Sequence, residues 1–161
     1  MNNIWYDIYE KNKYLDNIFE EKYNSDEELF RKNCIEFLVE LGEFVNETKC
    51  FKYWTIKSPN KPMMLEEYAD SITMVLYFFN KLNLDLENIP KHIENKNKLD
   101  VINYIYLQGT KLIDNCEENL VKDIFSNLLY LGELFEFKEQ EIIDAIKNKH
   151  KIIEERLNSK Y

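Results

Sequence analysis

Helical spacing with almost nothing to interrupt it is the strongest constraint on how this chain folds. Apolar residues recur at helical intervals over nearly the whole length, and the 161 residues include only three glycines and three prolines. An all-β sandwich or barrel needs many more turn formers than that. Ile4, Ile8, Leu15 and Phe19 place an apolar stripe on a first helix over residues 3–22. Ser25, followed by Asp26, Glu27 and Glu28, reads as a capping box with an acidic first turn, opening a second helix that runs to Lys52. Ser58, Pro59, Asn60 and Pro62 mark a loop. A third helix starts near Met63 or Leu65 and carries Leu65, Tyr68, Ala69, Ile72, Val75, Leu76 and Phe79 at the helical period. Asn83 to Pro90 breaks the pattern, and His92 to Lys98 is polar with no clear period. Further helices are expected over residues 99–112 and 117–135, and a last one after Phe137 with Ile142, Ile143, Ile146, Ile152 and Ile153. With no internal repeat or low-complexity linker, the reading is one all-α domain over residues 1–161, a bundle of about six helices.

Composition narrows the function classes. Hydrophobic residues make up 45% and charged residues 32%, a globular mixture. No apolar run is long enough to cross a bilayer, and the first residues lack a basic-then-apolar signal pattern, so no membrane role is expected. A net charge of −9 argues against binding a nucleic-acid backbone. Cys34, Cys50 and Cys116 are odd in number and form no CxxC pair, as reduced thiols of a cytoplasmic protein would. His92 and His150 are too isolated to form a histidine-rich metal site.

The acids are more informative. Glu36, Glu40, Glu43 and Glu47 are spaced by four, three and four residues and so share a helical face. Like charges at that spacing repel. Their neighbours Phe37, Leu38, Leu41, Phe44 and Val45 are apolar, and no basic residue lies between Cys34 and Thr48. Carboxylates in such a setting need a partner or take up protons. The third helix repeats the device, with Glu67 and Asp70 three apart. Two packed helices of this kind build an oxygen-rich cage for Mg²⁺ or Mn²⁺. Between them, Phe51, Tyr53 and Trp54 alternate with Lys49, Lys52 and Lys57. These form either a base pocket beside a phosphate pocket or, as composition alone favours, aromatic closure of the core with solvated lysines.

The segments ELGEFVNETKCFKYW and LEEYADSI, separated by a proline-containing loop, resemble the dimeric all-α deoxyuridine triphosphatases, within the wider all-α nucleoside-triphosphate pyrophosphatase (MazG-like) group. The shared mark is Glu-x-x-Glu then Glu-x-x-Asp, here Glu40, Glu43, Glu67 and Asp70. EKNKYLDNIF and the C-terminal EIIDAIKNKHKIIEERLNSKY are similar to the family's ends. The resemblance implies a four-helix catalytic core in a homodimer whose sites draw on both subunits. It also implies Mg²⁺ held by those four acids, with Glu40 or Glu43 orienting a water that attacks the α-phosphorus of dUTP to give dUMP and pyrophosphate. Lys57, Lys149, Arg156 and Tyr161 fall where the family contacts phosphates, and Asn12 and Trp54 where it lines the base pocket.

Three departures bear on the substrate. Asn12 stands where the family has Gln, Thr73 where it has His, and His150 and Ile153 replace asparagines near the C-terminus. These are base- and sugar-reading positions. Two other readings therefore stand beside a dUTP diphosphatase: the same chemistry on another nucleotide such as dCTP, and a catalytically weak helical module that binds a protein partner.

Overall fold

The computed structural model describes residues 1–23 and 28–159. Six helices account for the fold, with no strand among the described residues: α1 (Asn3–Tyr23), α2 (Leu29–Thr48), α3 (Lys61–Lys81), α4 (Lys98–Gly109), α5 (Glu118–Leu134) and α6 (Glu139–Asn158). The all-α expectation is met. The capping box read at Ser25 and the phosphate contact read at Tyr161 lie outside the described residues. No described helix is long and apolar enough to cross a membrane. The three cysteines are free thiols.

The central element is α3, which packs against α1, α2, α5 and α6. Tyr68, Ala69, Ile72, Val75, Leu76, Tyr77, Phe78 and Phe79 bury it on all sides, as expected of a helix apolar around its whole circumference. Neighbouring α2 is amphipathic instead, burying Cys34, Phe37, Leu41, Phe44 and Thr48 at alternating three- and four-residue steps. Phe37 meets Phe78 at 6.2 Å, and Phe44 meets Tyr68 at 5.3 Å, both edge to face. Early residues of α2 thus touch late residues of α3, so the two helices run antiparallel. The buried Tyr68 hydroxyl donates to the Leu128 carbonyl at 2.8 Å, which removes the cost of its burial.

Several helix ends shift from the sequence reading for local reasons. Lys49 takes the left-handed conformation (φ 54°), so α2 stops at Thr48 rather than Lys52. At its start, α3 begins at Lys61, where the Asn60 side chain accepts a hydrogen bond from the Met63 amide at 3.3 Å and Pro62 sits in the first turn. The stripe on α1 is rotated: Trp5, Ile8, Tyr9, Asn12 and Leu15 are buried, whereas Ile4 and Phe19 are exposed. Trp5 and Tyr9 compensate their polar tips, Trp5 donating to Glu139 at 2.9 Å and Tyr9 to the Leu84 carbonyl at 2.9 Å.

The long connection between α3 and α4 is tied down by α5. Lys122 donates to the Glu87 carbonyl (2.8 Å), Ser126 to the Pro90 carbonyl (2.7 Å), and Asn127 accepts from the Ile93 amide (3.1 Å). Asn83, Asn88 and Asn95 supply its left-handed bends, a conformation that asparagine tolerates better than most residues.

Candidate active site

Because Phe37, Leu41 and Phe44 face inward, α2 turns its glutamates toward the groove beside α3. Glu40 is half-buried and Glu43 exposed; on α3, Glu67 is half-buried and Asp70 buried. One oxygen each of Glu40, Glu67 and Asp70 lies within 4.8 Å of the other two. Glu43 stands outside this triad, near enough for its charge to act on Glu40 and Glu67. Glu36 and Glu47 also lie outside it.

Burial, followed by the Asp70 charge, pushes the Glu40 carboxyl up to about 7 and the Glu67 carboxyl to about 7. Burial raises Glu36 and Asp70 too, against the opposing pull of Lys149. From α6, Lys149 forms an ion pair with Asp70 Oδ2. Asp70 Oδ1 is buried and has no hydrogen-bond partner. An all-oxygen triad with surplus negative charge and an unpartnered buried oxygen fits a hard divalent cation.

These shifts carry a sign that can be measured. Folded Glu40 and Glu67 keep protons up to about pH 7, whereas in the unfolded chain they lose them near the ordinary 4.5. The folded state therefore binds more protons in that window, and the stability these groups contribute falls as pH rises through it. Without divalent ions, Tm should decline between about pH 5 and about pH 7 more steeply in the wild type than in Glu67→Gln. Equal slopes would contradict the arrangement.

Beside the triad a cavity of about 400 Å³ opens between α1, α2, α3 and α6, four helices as the four-helix core anticipates. That volume suits a nucleoside. The antiparallel α2–α3 pair gives it two unlike ends. Glu36, Glu40, Asp70, Lys149 and Arg156 form a charged end; Leu15, Phe19, Leu29, Met74 and Tyr77 wall a more apolar one, which also carries Asp16, Glu20, Lys32 and Asn33.

Of the residues singled out from sequence, Asn12, Glu40, Asp70, Thr73, Lys149 and Arg156 line this cavity. His150 is buried behind Asn12, its Nε2 3.1 Å from Asn12 Oδ1. Trp54 and Lys57 do not line it. Trp54 is 65% exposed, resting against the edges of Phe51 (6.1 Å) and Tyr53 (5.0 Å). Phe51 and Trp54 therefore do not close the core, contrary to what composition favoured, because α2 ends before reaching them.

Sequence reading overlooked Asp16 and Glu20 on α1, although both follow Asn12 at four-residue steps and so share its face. Burial pushes the Asp16 carboxyl up to about 7 even though Asn12 and Asn80 both hydrogen-bond to it. Glu20 is paired with Lys81 at 2.5 Å.

A family model for dUTPase matches residues 4–161. No curated protein matches the sequence.

Proposed function

This chain belongs to the dUTPase family and is a dUTP pyrophosphohydrolase, and from that premise we propose how its own residues carry out the hydrolysis to dUMP and pyrophosphate. The observation that carries the reading is the convergence of Glu40, Glu67 and Asp70, with its unpartnered Oδ1, at the charged end of a nucleoside-sized cavity.

Glu40, Glu67 and Asp70, with Glu43 at the rim, would hold Mg²⁺ (or Mn²⁺), which would supply positive charge to neutralise the triphosphate and acidify a nearby water. Lys149 and Arg156 extend from α6 into the cavity and bind phosphate oxygens, the role that the resemblance also gives to Lys57 and Tyr161. Glu43, exposed and outside the triad, takes the proton of the attacking water; Glu40, within the triad, orients that water. The new bond forms between the water oxygen and the α-phosphorus. The bond from the α-phosphorus to the bridging oxygen breaks, and pyrophosphate leaves with that oxygen. The apolar end of the cavity receives the base, with Asn12 and Thr73 on its wall and His150 behind.

The test is pyrophosphate release from dUTP, dCTP, dTTP and UTP, each with Mg²⁺ and with a chelator. Turnover led by dUTP and abolished by the chelator is expected. A lead taken by dCTP would transfer the chemistry to another nucleotide, and no turnover of any would favour the protein-binding module.

The active unit is a homodimer. Around Trp54 the loop after α2 exposes Phe51, Tyr53 (94% exposed) and Ile56, and aromatic clusters of this kind favour a protein interface. A second copy seated on that loop covers it and brings Trp54 and Lys57 to the partner's cavity. Light scattering at micromolar concentration should give twice the chain mass; a monomer would refute the pairing.

A further inference from the structure

Two of the residues expected at base-reading positions, Asn12 and Thr73, are already engaged by the protein. Asn12 donates from Nδ2 to Asp16 Oδ2 at 3.1 Å and to the Thr73 carbonyl at 3.3 Å. Its Oδ1 faces His150 Nε2 at 3.1 Å. Burial holds His150 neutral, its imidazole pushed down to about 4, and because an amide oxygen can only accept, the tautomer that fits this contact carries its N–H on Nε2 and donates to Asn12. Both donors of the Asn12 amide are thus spent, and its oxygen is occupied. The Thr73 hydroxyl donates to the Asp70 carbonyl at 2.9 Å. Neither side chain keeps a free donor for a nucleobase.

Asp16 stands at that end of the cavity, together with Asn33, whose Nδ2 donates to the Leu29 carbonyl at 2.9 Å. Asp16 lies one turn beyond Asn12 on α1, on the wall shared with Leu15, Phe19, Met74 and Tyr77. Glu20 is ion-paired with Lys81, its buried Oε1 having no hydrogen-bond partner, while Glu36, Glu40 and Asp70 belong to the charged end. A carboxyl offers about four acceptor positions, so the amides of Asn12 and Asn80 leave capacity for a ligand. Raised toward neutrality by its burial, Asp16 also exists in part as a protonated group that donates.

We propose that Asp16 is the base-reading residue of this chain, its carboxyl accepting the ring N–H of a pyrimidine imide while Asn12 and His150 act as positioning residues that fix its orientation. The inference rests on the dUTP reading and deepens it. An imide edge presents one N–H between two carbonyls, and a site built to hydrogen-bond that N–H rejects a ligand that lacks it. His150 is thereby a replacement with a role: it occupies the Asn12 oxygen and turns the amide donors onto Asp16.

The probe is N3-methyl-dUTP, which lacks the N–H and is otherwise the same nucleotide. Wild-type enzyme should prefer dUTP over it by about 100-fold or more in kcat/KM. In Asp16→Ala the KM for dUTP should rise by a similar factor with kcat changed far less, and the preference between the two nucleotides should collapse to within about threefold. His150→Leu should raise the dUTP KM several-fold with kcat little moved, and His150→Gln, which keeps a side-chain N–H donor, should restore it. Full discrimination persisting in Asp16→Ala would overturn the proposal, as would an unchanged KM in His150→Leu, a variant that needs no folded Asp16→Ala to be read. Wild-type protein inert toward dUTP would instead overturn the function reading, and that is seen before any variant is made.

Discussion

Glu67→Gln should lose about 10³-fold or more in Mg²⁺-dependent turnover, while the metal-free protein becomes more stable. The two changes have opposite signs because the same carboxylate is an asset with the ion and a liability without it. Burial and then the charges of Asp70, Glu43 and Glu66 raise the proton affinity of Glu67, and Lys149 acts against them. Removing one negative charge relieves that repulsion and leaves the ion pair between Lys149 and Asp70 intact. Turnover in saturating Mg²⁺ and Tm in chelator, both at about pH 8, read the two effects. A variant that is less stable in chelator, or that keeps activity within tenfold of wild type, would show that the triad does not hold the ion.

The largest effect on stability is expected from Phe44→Ala, about 3–5 kcal/mol. Phe44 is fully buried and meets Tyr68 at 5.3 Å, Phe135 at 5.5 Å and Phe137 at 6.3 Å. Its contacts span α2, α3 and the turn before α6, so the space it leaves cannot be closed by moving one side chain. Against a total of roughly 5–15 kcal/mol for a domain, the loss is a large share. Phe44 also lies next to Glu43, and the variant should bind divalent ions more weakly as α2 loosens against α3. Urea unfolding gives the first quantity. A cost below about 1 kcal/mol would mean that the α2–α3 contact is not the keystone of the fold.

Helical period alone made the fold class legible, because almost every core residue of α2 and α3 obeys it. The carboxylates were legible for a related reason: Glu40, Glu67 and Asp70 are conspicuous as acids among apolar neighbours without local bases. Spacing along single helices could not tell which acids converge. Glu43 shares a face with Glu40 but lies outside the triad, a matter of how α2 is rotated against α3. Asp16 was missed because one acid on a mixed helix looks solvated until α3 and α6 are placed over it. Trp54 was misjudged in the opposite direction, since an aromatic beside a helix end looks buried until a left-handed Lys49 turns the chain outward.

The three ties from α5 to the stretch between α3 and α4 decide where this protein can be cut and where it can be extended. Glu87, Pro90 and Ile93 each give a backbone group to a side chain of α5, and Lys122 anchors there as well to Glu118 and Asp85. New chain termini or an inserted reporter at those positions would strand the ammonium of a buried lysine along with two other polar side chains. The connection before α3 has no comparable ties from α5, but its aromatics are reserved for a second copy. An engineer seeking to permute or label this enzyme is therefore better served by positions outside both of its longest loops.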